Sequence, residues 1–155
     1  MNLKRNLRQT LSGLILIALP LLSQSEIQAE PVAYVKTVTG EAWVTTAGQR
    51  LKAQPGTAVM LGSQLKTNAA ATLGITFKDN TVMSFGPDTE MTVDDYLYEP
   101  AQGQLRLGTR LLKGTLNYVS GVIAKLKPEA VTVQTPTGII GVRGTQFLVK
   151  VEEAK

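Results

Sequence analysis

Glycine and turn residues interrupt this chain roughly every ten residues from Val32 onward, and no long amphipathic helix fits between the interruptions. Val32–Val38 is closed by Thr39-Gly40, Glu41–Thr46 by Ala47-Gly48, and Ala71–Phe77 by Lys78-Asp79-Asn80. Thr81–Phe85 ends at Gly86-Pro87-Asp88. Within the runs, apolar residues alternate: Leu73, Ile75 and Phe77 share one face, as do Phe147, Val149 and Val151. Short alternating runs bounded by turns are half-buried strands. The predicted class is all-β, an irregular β-solenoid or roll of short strands, with a β-sandwich as the alternative. Asp79-Asn80 is placed for a two-residue hairpin turn, since both residues tolerate the left-handed region. Residues 119–126 fit either a short helix, on the spacing of Val119, Ile123 and Leu126, or a strand pair broken at Gly121.

The first 29 residues read differently. Lys4, Arg5 and Arg8 precede an uncharged run, Leu11–Leu22, and then a polar stretch ending on the small residue Ala29. That order is a secretory signal peptide, and the apolar run falls short of the roughly 20 residues a helix needs to span a bilayer. The expected organisation is a signal peptide over 1–29, cleaved near Ala29, and one β domain over 30–155. The expected location is periplasmic or secreted, with no transmembrane helix in the mature chain. Removing the leader leaves 13 basic and 11 acidic residues, a net charge of +2. So small an excess does not make a nucleic-acid surface.

The inventory for catalysis is thin. The chain has neither cysteine nor histidine, which removes thiol nucleophiles, disulfides, thiolate metal sites and the commonest general base. Ser63, Ser84 and Ser120 lie in no nucleophile motif. Asp94 and Asp95 read as a solvated turn, and the acidic residues are too scattered for a linear calcium loop. No catalytic residue, cofactor or metal is expected, and the chain reads as a non-enzyme.

The most distinctive stretch is Thr135-Pro136-Thr137-Gly138-Ile139-Ile140-Gly141-Val142-Arg143-Gly144-Thr145-Gln146-Phe147. It lacks the lysine of a phosphate loop. Pro136 suits an extended lead-in, and Gly138, Gly141 and Gly144 suit tight turns or close backbone approach. Arg143, with five donors and a permanent charge, suits a structural clamp on loop carbonyls or a carboxylate.

The residues Thr135, Pro136, Gly141, Val142, Arg143, Gly144, Thr145 and Phe147 together resemble the signature of the FecR periplasmic domain family. Upstream, Val38-Thr39-Gly40, Gly62-x-x-Leu65-x-Thr67 and Phe77-x-Asp79-Asn80-Thr81 agree with it, so the resemblance spans about Val32 to Lys150. The name-giving members are single-pass inner-membrane regulators of extracytoplasmic sigma factors. This chain shows no cytoplasmic segment or spanning helix ahead of the domain, so it resembles the free-standing exported FecR-domain proteins instead. The resemblance implies a protein-binding, scaffold or envelope-signalling module whose partner is another envelope protein, with self-association left open. The alternative is a carbohydrate- or cell-wall-binding module. For that role Tyr96 and Tyr98, sharing a strand face, are the exposed pair to offer a glycan, whereas Tyr34 and Trp43 read as core.

Overall fold

A computed structural model describes residues 29–152; the expected signal peptide lies almost wholly outside them. Twelve strands among the described residues join into one sheet. They are β1 (Ala33–Thr39), β2 (Ala42–Thr46), β3 (Gln49–Lys52), β4 (Ala58–Val59), β5 (Gln64–Thr67) and β6 (Thr72–Phe77). There follow β7 (Val82–Phe85), β8 (Glu90–Glu99), β9 (Gln104–Val119), β10 (Val131–Thr135), β11 (Gly138–Gly141) and β12 (Gln146–Val151). One short helix, α1 (Val122–Leu126), follows β9. It begins at Gly121, so the chain realises the helix of the two sequence alternatives.

The registers show that most short strands are halves of longer arms. β1 and β2 together run antiparallel to β5 and β6, from Ala33↔Phe77 through Thr39↔Thr72 to Ala42↔Thr67 and Thr45↔Gln64. β7 and β8 together run antiparallel to the whole of β9, from Val82↔Val119 to Glu99↔Gln104. Each arm breaks near its middle, at Gly40, at 68–71, at 86–89 and at Gly114, and these breaks lie side by side. The sheet folds along that crease into a curled, open half-barrel. Laid flat, Phe77 and Tyr96 would lie on the order of 35 Å apart at ~3.3 Å per residue. Their ring centroids are 5.3 Å apart.

Sequence chemistry explains the crease. Gly40 has φ 71° and Gly114 φ 92°, a region that disfavours residues with a Cβ. A Cβ on Gly40 would stand 2.8 Å from the Ala70 carbonyl oxygen, and one on Gly114 would overlap Thr89. The backbone groups freed by the break are taken up by two buried threonines. Thr67 Oγ1 donates to the Gly86 carbonyl at 2.7 Å and accepts from Thr89 N at 2.9 Å, and Thr89 Oγ1 accepts from Thr115 N at 3.0 Å. Satisfying buried backbone groups in this way avoids a penalty of about 1–3 kcal/mol for each group otherwise stranded.

One apolar core lies between the two halves. Val35, Ile75 and Met83 come from one side of the crease, Leu65, Met91 and Leu107 from the other. Successive arms run antiparallel, so the sheet is rolled and does not coil as a solenoid does. β10 adds to β9 in parallel, from Val131↔Leu107 to Gln134↔Arg110, and β12 adds antiparallel to the second half of β9, from Gln146↔Val119 to Val151↔Gly114.

Candidate functional site

The helix α1 packs on the core of the half-barrel, with Ile123 and Ala124 buried. The turn after β6 holds it there. Asp79, fully buried, accepts from Thr81 N at 3.2 Å through Oδ1, and from Thr81 Oγ1 at 2.8 Å and Ile123 N at 3.1 Å through Oδ2. Its carbonyl accepts from Val122 N at 2.7 Å. A carboxylate on the free amides at a helix start is both hydrogen-bonded and favoured by the local dipole. Gly121 is packed so tightly against Asp79, Asn80 and Thr81 that a Cβ there would overlap their backbone. The turn itself is one residue longer than the sequence suggested. Asn80 N donates to the Phe77 carbonyl, Phe77 N to the Thr81 carbonyl, and Asn80 carries φ 66°, giving a three-residue loop.

Beside α1 lies the motif stretch. Thr135, Pro136 and Thr137 make the turn between β10 and β11, tied by Thr135 Oγ1 donating to the Gly138 carbonyl at 3.0 Å. Val142 is buried and its N–H reaches the Val131 carbonyl at 3.4 Å. Ser120 then staples the loop twice, Oγ to the Gly144 carbonyl and N to the Thr145 carbonyl, each at 2.8 Å. Phe147 stacks on Tyr118 with centroids 4.7 Å apart. Of the three glycines of the stretch only Gly144 has positive φ, 111°.

Arg143 sits at the tip of this held loop. It is exposed, and among the described residues its guanidinium forms no hydrogen bond or ion pair. The clamp expected from sequence is made instead by Ser120 and by main-chain bonds. Arg143 borders a cleft of ≈ 340 Å³ with Pro128, Glu129, Gly141 and Val142.

The aromatic expectations are reversed. Tyr96 and Tyr98 do share a face, but they are half-buried and pack against the core. Tyr96 stacks on Phe77, and its hydroxyl oxygen accepts from Asp79 N at 3.0 Å. Burial, and then the nearby Asp79 charge, push the Tyr96 hydroxyl well above the usual tyrosine range. Tyr34 is 38% exposed, and Trp43 lies on the outer face of β2 with the Arg50 guanidinium 4.2 Å from its ring. Asp94 and Asp95 are not in a turn either. They occupy a bulge in β8, where Val93 faces Thr109 and Asp95 faces Gly108. The extra residue turns both carboxylates outward onto β9, with Asp95 3.0 Å from Arg106 and Asp94 2.9 Å from Arg110.

No group of metal-ligating residues gathers among the described residues, and no helix there is long and apolar enough to cross a membrane. A sequence model of the family described as FecR protein matches residues 63–155. The match takes in β5 to β12, the Asp79 turn and the whole motif stretch, and leaves out β1 to β4. No curated protein and no solved structure matches the chain.

Proposed function

Since this chain belongs to the FecR family, we propose that it is an exported, non-enzymatic domain that binds another protein of the bacterial envelope at the corner carrying Arg143. The family is one of envelope-linked regulation, and the leader over residues 1–29 has the layout of an export signal. The observation that carries the reading is Arg143. Its loop is fixed by Val142 and Ser120 while the guanidinium forms no hydrogen bond or ion pair among the described residues. A permanent charge displayed on a rigid loop is a geometry suited to a carboxylate from outside, because little is lost in ordering it. Lys125 and Lys127, exposed at the end of α1, add to the positive character of the segment leading to Glu129.

The test is crosslinked affinity capture of the full chain from the envelope fraction, beside Arg143→Ala. Recovery of one defined protein with the parent chain and its loss with the variant, at equal thermal stability, is the expected result. Recovery of the chain alone, or equal capture by both, overturns the reading.

A further inference from the structure

We propose that the outer edge of β11 takes up an extended segment of the partner as an added strand. An apolar side chain of that segment rests on Leu112 and Ile139, and a carboxylate of it meets Arg143. This rests on the protein-binding reading above and specifies how the contact is made.

The two ends of the sheet are built differently. At one end β3 carries Arg50 and Lys52, Pro55 follows, and β4 has only two residues. Charge, proline and shortness all discourage pairing with a further strand. At the other end the edges are β12, which carries Lys150, and β11, which reads Gly-Ile-Ile-Gly and among the described residues pairs with β10 on one side alone. β11 carries no charge and no proline. Its glycines are not demanded by this fold, for a Cβ on Gly138 or Gly141 would meet nothing within 4 Å, and neither has positive φ. Glycine in a strand weakens it, and where nothing inside the chain requires it, close approach of another backbone is a physical reason for it.

Side chains around the edge give the segment its chemistry. Leu112, 38% exposed, and Ile139, 67% exposed, frame with Pro136 a groove of ≈ 370 Å³ on the outer face. That space suits one apolar side chain of an added strand. Arg143 follows two residues after the end of β11. The β11 edge of a second copy does not supply what Arg143 lacks, because 131–142 contains neither aspartate nor glutamate. Pairing β11 with itself would leave the guanidinium unmatched. The occupant is a segment of another protein whose carboxylate complements the Arg143 charge, with an acidic residue about four positions from its apolar one at ~3.3 Å per residue.

The test uses the full chain and three synthetic peptides of alternating threonine and valine with a central isoleucine. One has glutamate four positions from the isoleucine, one has lysine there, and one is the glutamate peptide with alternate backbone amides N-methylated. Fluorescence anisotropy reads binding, and amide hydrogen exchange reads protection of 138–141. The glutamate peptide is expected to bind and slow exchange along β11, with lysine replacement or N-methylation each weakening binding about tenfold or more. Ile139→Lys and Arg143→Gln are expected to do the same without moving the melting temperature, since both side chains are exposed. Equal binding by the N-methylated peptide, protection at β3 instead of β11, or a dimer dissolved by Ile139→Lys overturns the proposal. If Arg143-dependent capture of an envelope protein holds while the captured partner leaves β11 exchange unchanged, strand addition is wrong and the protein-binding reading stands.

Discussion

The Asp79 carboxylate and the Ile123 amide, 44 residues apart in sequence, are joined by a buried hydrogen bond of 3.1 Å. Through it the turn after β6 sets where α1 starts, and α1 adds Ile123 and Ala124 to the core. Asp79→Ala removes this bond and the two to Thr81, leaving buried donors unmatched. A loss of about 2–4 kcal/mol is expected in urea unfolding. A loss below about 0.5 kcal/mol would show that the joint does not hold the fold.

At the crease Gly114 lies against both the backbone and the side chain of Thr89. Gly114→Ala drives a Cβ into Thr89 at a residue with φ 92°, and no rotamer relieves it. About 3 kcal/mol or more of destabilisation is expected. Gly48→Ala is the control: φ is 79° but the surrounding space is open, so only the backbone cost of about 1–2 kcal/mol applies. Equal effects of the two in thermal melts would mean that close packing at Gly114 is not what bends β9.

The strands were legible in the sequence because period-two alternation and glycine punctuation are local signals. The way they join was not. A hairpin such as Ala47-Gly48 and a crease residue such as Gly40 carry the same turn chemistry, and both have positive φ. What separates them is the neighbour in the next arm, Ala70 beside Gly40, which no local window contains. Tyr96 and Tyr98 point inward for a related reason. From Met91 and Val93, both buried, strict alternation would place residues 96 and 98 outside. The bulge between Val93 and Asp95 inverts the phase of every residue after it. Arg143 was found by its motif, but its freedom was not, since Ser120 makes the staples that the arginine was expected to make.

For Arg143 itself, Arg143→Ala is expected to leave stability within about 0.5 kcal/mol, as for an exposed side chain with no hydrogen bond or ion pair among the described residues. Ser120→Ala, by contrast, takes away the hydroxyl bond to the Gly144 carbonyl and is expected to cost about 1 kcal/mol. Denaturant midpoints for the two variants decide between them. A larger loss for Arg143→Ala than for Ser120→Ala would restore the arginine as the loop's internal clamp.

Tyr96 gives the fold an alkaline limit that can be measured. Its hydroxyl oxygen accepts the Asp79 amide at 3.0 Å, and burial followed by the Asp79 charge raises its pKa above the ordinary value. At neutral pH the phenol is protonated in both folded and unfolded chains, so it adds no pH dependence. As pH rises past about 10 the unfolded chain releases this proton first, which stabilises the unfolded state. Stability is therefore full below the usual tyrosine range and falls as pH climbs through it towards the folded value. Tyr96→Phe cannot ionise and leaves the Asp79 amide without its acceptor, costing about 1 kcal/mol at neutral pH. Tyr118, whose pKa is also raised by burial, keeps its own share of the alkaline slope in both proteins. Urea midpoints followed from about pH 8 to about pH 11 should show the gap between parent and variant narrowing with rising pH. A gap of constant width would mean that the Tyr96 proton is not held more tightly in the folded chain.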